Sequence, residues 1–129
     1  MVKTSLVEQD LKIGAQLVRL LDEAGIDVRA ALWLYSEETK RWKLVIHTPL
    51  YESHGPLEAI HAILTVMQNE IPREQLSSTD IIVTGRRNEV VRALHTKYHT
   101  DPREIDSIRL AGDIIDRVLI DEAYVYRVA

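Results

Sequence analysis

Histidine is the residue type of this 129-residue chain whose spacing comes nearest to metal chemistry. His95 and His99 are four residues apart, which would place both on one face of a helix, a spacing that zinc sites use. Zinc proteases also need a glutamate directly after the first histidine, and Thr96 stands there instead. The pair is therefore interpreted as cationic side chains near a helix C-terminus, where the helix dipole favours them.

A second group of potential metal ligands surrounds a predicted loop. Glu58 and His61 have the Glu-x-x-His spacing of di-iron helix bundles, but such a centre needs a second copy and further glutamates. Ligands from a strand end and a loop would complete an alternative mononuclear site, made up of His47, His54, Glu58 and His61. Because two of these ligands would come from loop positions, the preferred interpretation is surface histidines, with no metal and no cofactor.

A glycine turn that carries two arginines is the main candidate for anion binding. Thr84-Gly85-Arg86-Arg87 lies between a predicted strand and a predicted helix. Backbone N–H groups at the start of a helix can bind an anion, and arginine side chains strengthen such a site. The sequence lacks both the phosphate-loop pattern and the dinucleotide-binding glycine pattern. Arg86 and Arg87 are thus anion-binding candidates, and the alternative is a solvated turn.

The remaining reactive residues give no coherent catalytic set. Acidic residues gather near two predicted turns, where aspartate is favoured by its own hydrogen bonding. The chain has no cysteine and no Gly-x-Ser-x-Gly sequence. These observations favour a non-enzymatic binding or accessory module. The alternative is an enzyme that acts on nucleic acid or on a phosphorylated small molecule.

Aromatic residues on a predicted strand give a candidate interaction surface. Trp33 and Tyr35 are two residues apart, so they lie on the same face of the strand over 28–35. If no helix covers that face, Trp33 and Tyr35 would contact a protein partner or a second copy of the chain. The alternative is that helices cover both faces of the sheet.

Periodicity predicts the elements that position these residues. Three helices are expected, over 5–24, from Pro56 to about Pro72, and over about 87–98. Strands are expected over 28–35, 42–47 and 80–84, and a C-terminal hairpin over 105–128. Hairpins mixed with helices indicate an α+β domain with about five strands in a mixed or mainly antiparallel sheet, in the order α-β-β-α-β-α-β-β.

Particular residues predict where these elements begin, turn and end. Ser5 and Glu8 have the spacing of a capping box at the start of the first helix, and Gly25 suits the left-handed residue after its end. The turn of the C-terminal hairpin is predicted at Asp116-Arg117 or at Gly112-Asp113. The segment 48–55 is expected to be a loop.

Length, charge and hydropathy place the chain in a broad class. Its 129 residues suit one α+β domain over 1–129, and 46% hydrophobic with 28% charged residues are values of globular proteins. A net charge of -4 gives no support to nucleic-acid binding. With no apolar stretch near 20 residues and no signal-peptide core, the expected location is the cytoplasm, with no membrane attachment.

Several strand-like segments resemble one known group of proteins. They are residues 31–35 with 42–46, then 48–50 with Gly55-Pro56, and finally 120–127. As a set they resemble a family of small uncharacterised prokaryotic proteins, over most of the chain. The resemblance implies a shared fold and brings no activity with it.

Overall fold

Four helices and five strands are found in residues 3–129, which are the residues that the computed structural model describes. The helices are α1 (Glu8–Glu23), α2 (Leu50–Ser53), α3 (Pro56–Glu70) and α4 (Glu89–Lys97). The strands are β1 (Ala30–Ser36), β2 (Arg41–His47), β3 (Ile81–Thr84), β4 (Ile108–Ile115) and β5 (Val118–Val128). Within these residues no helix is long and apolar enough to cross a membrane.

The strands form one mixed sheet in the order β3-β2-β1-β5-β4. β1 pairs antiparallel with β2 and with β5, and β4 pairs antiparallel with β5. β3 is parallel to β2, because α3 carries the chain back to the same end of the sheet. The predicted α+β class and order of elements are confirmed. One element was not predicted: α2 is a single helical turn in the segment expected to be a loop. At its start, the Thr48 hydroxyl accepts a hydrogen bond from the Leu50 N–H at 3.3 Å.

Each face of the sheet carries its own hydrophobic core. α1 and α3 cover one face, where Leu17, Ile63 and Met67 pack on Trp33 and other inward residues of β1 and β2. α4 covers the opposite face with Val91, Ala93 and Leu94, which pack on residues of β1, β2, β4 and β5. Leu57, in the first turn of α3, lies outside this core and is 81% exposed.

The two ends of α1 differ in how well they match the sequence. The capping box from Ser5 to Glu8 is wrong, because the helix begins at Glu8 and the Asp10 carboxylate accepts from the Val7 N–H at 3.0 Å. The expected ending is confirmed: Gly25 has a φ of +77°. The Gly25 N–H donates to the Asp22 backbone carbonyl, and the Ile26 N–H donates to the Leu21 carbonyl. These are the paired bonds of a Schellman motif.

Close contact between α1 and the sheet is centred on Gly14. The Tyr126 hydroxyl donates to the Leu11 carbonyl of α1 at 2.6 Å, and the Trp33 Nε1 lies 3.0 Å from the Tyr126 oxygen. A Cβ atom at Gly14 would overlap the Tyr126 hydroxyl and lie 2.7 Å from Trp33 Nε1. Glycine is therefore required here by space, since only a residue without a side chain lets the helix come this close.

A buried arginine fixes the other end of α1. Arg127 is fully buried, and both of its terminal nitrogens donate to the Asp22 carboxylate at 2.9 Å. Its Nε donates to the Glu104 carbonyl at 3.0 Å. A bidentate pair of this kind specifies geometry as well as charge, so the last turn of α1 and the end of β5 are held in one arrangement.

The hairpin of β4 and β5 turns at Asp116-Arg117, one of the two predicted positions. Both residues have positive φ, 49° and 68°, as a two-residue type I′ turn requires. Gly112, in the competing position, lies inside β4 with a φ of +67°, outside the range of extended backbone. Beside it, the Ala111 N–H donates to the Asp113 carboxylate at 2.9 Å. One N–H of this edge strand is thus already bonded within the strand, and its backbone is not extended throughout.

We expect Gly14→Ala to destabilise the protein by about 1–2 kcal/mol, because overpacking outweighs the usual preference of a helix for alanine. Urea unfolding, followed by circular dichroism, measures this change. In a Tyr126→Phe background the same substitution should cost less, since the nearest clashing atom is gone. A stabilised Gly14→Ala variant would contradict the close contact.

Candidate functional site

Two adjoining clefts lie on the part of the sheet that α1 leaves uncovered. One has a volume of about 430 Å³ and runs over β1, β2, β5 and β4. The other, of about 640 Å³, follows the side of α1. Both are lined by Leu6, Leu11, Arg109 and Tyr124, so they form one continuous groove, called here the α1–β4 groove.

Aromatic rings and one guanidinium group line the α1–β4 groove. The rings of Tyr35 and Trp42 lie 5.4 Å apart, and those of Tyr124 and Tyr126 lie 5.3 Å apart. The Arg109 guanidinium lies 4.9 Å from the centre of the Tyr124 ring. Tyrosine and arginine are the residues enriched where proteins contact each other, since they combine apolar area with hydrogen-bonding groups.

The groove carries both basic and acidic groups. Within residues 3–129, Arg109 takes part in no ion pair, whereas Lys12 lies 3.9 Å from Glu8 on the exposed side of α1. At the far end, the pKa of Tyr35 is raised by desolvation and then by the nearby charges of Glu37 and Glu122. Arg109, which lines both clefts, is thus a cation of the groove that is available to an outside carboxylate.

An exposed apolar pair extends this surface along the hairpin. Ile114 and Leu119 face each other across β4 and β5 and are 73% and 58% exposed. Their neighbours Ile115 and Val118 pack into the α4 core, so alternation directs the exposed pair to the opposite face, the face of the groove. An exposed apolar pair beside an aromatic groove is typical of an interaction surface.

The predicted surface of Trp33 and Tyr35 is only partly present. Trp33 is fully buried under α1, so it belongs to the core and cannot contact a partner. Tyr35 is half-buried and lines the groove. The sequence placed both on one face correctly, but the helix covers one position and leaves the other at the surface. The groove residue Arg109 was not predicted, because an exposed arginine on a strand carries no signal of its own.

The glycine turn before α4 binds a carboxylate of the same chain. The Arg86 N–H donates to the Glu52 carboxylate at 3.2 Å, and a side chain on Gly85 would overlap that carboxylate. The start of α4 is capped by Asn88, whose side chain accepts from the Val91 N–H at 3.0 Å. Glu52 thus lies where an outside anion would meet the Arg86 N–H, while the Arg86 and Arg87 side chains are exposed.

The histidines are grouped differently from the sequence expectation. His47 and His95 come together, with His47 Nδ1 and His95 Nε2 3.3 Å apart. His99 does not share a helix face with His95, because α4 ends at Lys97. Within residues 3–129 no group of three or more histidine, cysteine or acidic residues could hold a metal ion, so the alternative set is not assembled as one site: His47, His54, Glu58 and His61.

The His47 and His95 pair lies between the end of β2 and α4. Burial lowers the pKa of His47, and the proximity of His95 lowers it further. Burial likewise lowers the pKa of His95, with smaller contributions from the charges of His99 and Arg29. Both rings therefore favour the neutral form, in which each has one nitrogen free to accept.

Two further clefts lie away from these groups. One, of about 360 Å³, is between α3 and the segment that leads to β3, and the other, of about 290 Å³, is at the C-terminus of α1. None of the four clefts is lined by the candidates for metal or anion binding: His47, His54, Glu58, His61, Arg86 and Arg87. These residues are not gathered around any of the concave sites described here.

Comparison with known proteins gives no relative for this chain. No family model, no curated protein and no solved structure matches it. The resemblance to small prokaryotic proteins therefore stays a prediction.

The lowered pKa values of His47 and His95 predict a loss of stability in mild acid. Their usual value is 6.5, and it is lower in the folded state, so the unfolded chain takes up more protons as the pH falls through this value. Stability from the pair is complete above pH 6.5 and is lost as the pH falls toward the lowered folded values. His95→Gln should weaken the dependence of unfolding free energy on pH below about 7.

Urea unfolding at a series of pH values, with a chelator present, measures this dependence. His61→Gln is the matched control, because it removes an exposed histidine of α3 that does not contact the pair. Equal slopes for the His95→Gln variant and the original chain would contradict a linked pair.

Proposed function

We propose that this chain is a non-enzymatic binding module that holds a segment of a partner protein in the α1–β4 groove. The observation that carries the proposal is the meeting of the two clefts at Leu6, Leu11, Arg109 and Tyr124, on the part of the sheet that α1 leaves uncovered. A concave apolar site with a few polar groups at fixed positions is the usual form of a binding site.

The chemistry of the groove indicates what the partner segment presents. Leu6, Leu11 and the Tyr124 ring offer apolar contact, which suits an apolar side chain. Arg109, stacked on Tyr124 and outside any ion pair of residues 3–129, suits a carboxylate next to it. The partner is therefore a protein with an exposed segment that carries an acidic residue beside an apolar one.

A partner that approaches across the face fits better than one that adds a strand. The positive φ of Gly112 and the bond from the Ala111 N–H to the Asp113 carboxylate disturb the hydrogen-bonding edge of β4. β3, the opposite edge, is only four residues long. The main contacts would therefore come from side chains in the groove.

The enzyme alternative has less support. An enzyme for nucleic acid or a phosphorylated molecule would need several of its charged and histidine groups in one concave site. The candidates for those roles line none of the four clefts, and the Arg86 N–H is bonded to Glu52. An interaction role thus explains the groove, whereas an enzyme would need the candidate histidine and charged groups, which do not line it.

Selection from a library of displayed random peptides tests the proposal. Peptides enriched on the original chain should combine an acidic and an apolar residue. Their affinity should fall about tenfold or more for Arg109→Glu and for Tyr124→Ala, because a central arginine or tyrosine typically contributes more than 1.4 kcal/mol to binding.

Arg117→Glu is the matched control, because Arg117 is an exposed arginine of the same hairpin that lines neither cleft. Peptides that bind the Arg109→Glu and Tyr124→Ala variants as well as the original chain would overturn the proposal. A concentration-dependent dimer in sedimentation that both variants abolish would also overturn it, since the occupant would then be a second copy.

A further inference from the structure

We propose that His47 and His95 form a binding site for one divalent transition-metal ion of the zinc class, with water completing its coordination. This site is separate from the α1–β4 groove, since the two histidines lie on the sheet face that α4 covers. Neither histidine lines the groove, and the proposal does not depend on its function.

The separation of the two ring nitrogens is the main observation. His47 Nδ1 and His95 Nε2 lie 3.3 Å apart. Two imidazole nitrogens that bind one tetrahedral zinc ion at about 2.0–2.1 Å lie about 3.3–3.4 Å from each other. The two nitrogens are therefore already at the spacing of neighbouring ligands, and the metal would replace the single weak hydrogen bond between them.

Rigid elements hold both ligands in this arrangement. His47 is the last residue of β2, is buried, and pairs with Ala30 of the neighbouring strand. His95 lies on α4, one residue after the fully buried Leu94. A site formed by a central strand and a packed helix loses little side-chain freedom when it binds an ion.

The surrounding charges are mixed. Glu52 and Asp27 act on His47 as negative charges, and Arg29 acts on both rings as a positive one. Arg29 is itself bound to the Asp27 carboxylate at 2.9 Å, which offsets part of its charge. With two protein ligands and water, the site is expected to bind and release its ion readily rather than to keep a permanent structural metal.

Titration of the metal-free chain with Co²⁺ and Zn²⁺ tests the site. We expect one equivalent of Zn²⁺ by calorimetry, a Co²⁺ absorption spectrum of tetrahedral type, and Zn²⁺-dependent shifts of the His47 and His95 ring resonances by NMR. The His95→Gln variant should bind Zn²⁺ about tenfold or more weakly. A cooperative unfolding transition of the His95→Gln variant in the presence of a chelator shows that the variant is folded. The ring resonances of the original chain test the site without any variant.

His54→Gln and His61→Gln are the matched controls, because both histidines are exposed. They should bind Zn²⁺ as the original chain does. Absence of stoichiometric metal would overturn the proposal. So would binding that survives in His95→Gln and is lost in the His54→Gln or His61→Gln variant, since the ion would then occupy surface histidines only.

Discussion

The fit of α1 against the sheet at Gly14 is the constraint on which the rest of the structure depends. Because Gly14 has no side chain, the Tyr126 hydroxyl reaches the Leu11 carbonyl, and Trp33 packs beneath the helix. The Arg127 pair with Asp22 then fixes the direction of the helix at its other end. Held at two points, α1 covers the centre of the sheet and leaves β4 and part of β5 uncovered. The groove is thus a consequence of where one helix is held.

Local signals explain why most of the fold could be predicted from the sequence. Gly25 ends α1 as expected, and the hairpin turns at Asp116-Arg117, because each feature depends on residues adjacent in the chain. The errors arose where a neighbour's side chain decided the outcome. Asp10, not Ser5, provides the side chain at the start of α1, and the turn of α2 is stabilised by the Thr48 hydroxyl. Ser5 and Asp10 both suit a position at the start of a helix, so the sequence pattern alone does not choose between them.

The candidate sites were harder to predict because they join distant parts of the chain. His47 and His95 are 48 residues apart, and Glu52 and Arg86 are 34 apart. Each member has an ordinary local explanation, and only the crossing of β2 and α4, or the docking of α2 on the glycine turn, brings the partners together. Alternation correctly placed Trp33 and Tyr35 on one face. Which of the two remains at the surface depends on how much of the sheet α1 covers. The periodicity of the strand carries no information on the position of the helix.

The irregular edge of β4 also affects how copies of this chain behave at high concentration. Straight, open edge strands allow identical sheets to pair edge to edge and grow into fibres. A nearby apolar pair such as Ile114 and Leu119 would add to that tendency. Here the Asp113 carboxylate accepts the hydrogen bond of the Ala111 N–H, and the positive φ of Gly112 interrupts the extended backbone that edge pairing needs. The hairpin can therefore expose an apolar pair near its tip while its backbone edge resists pairing with other copies.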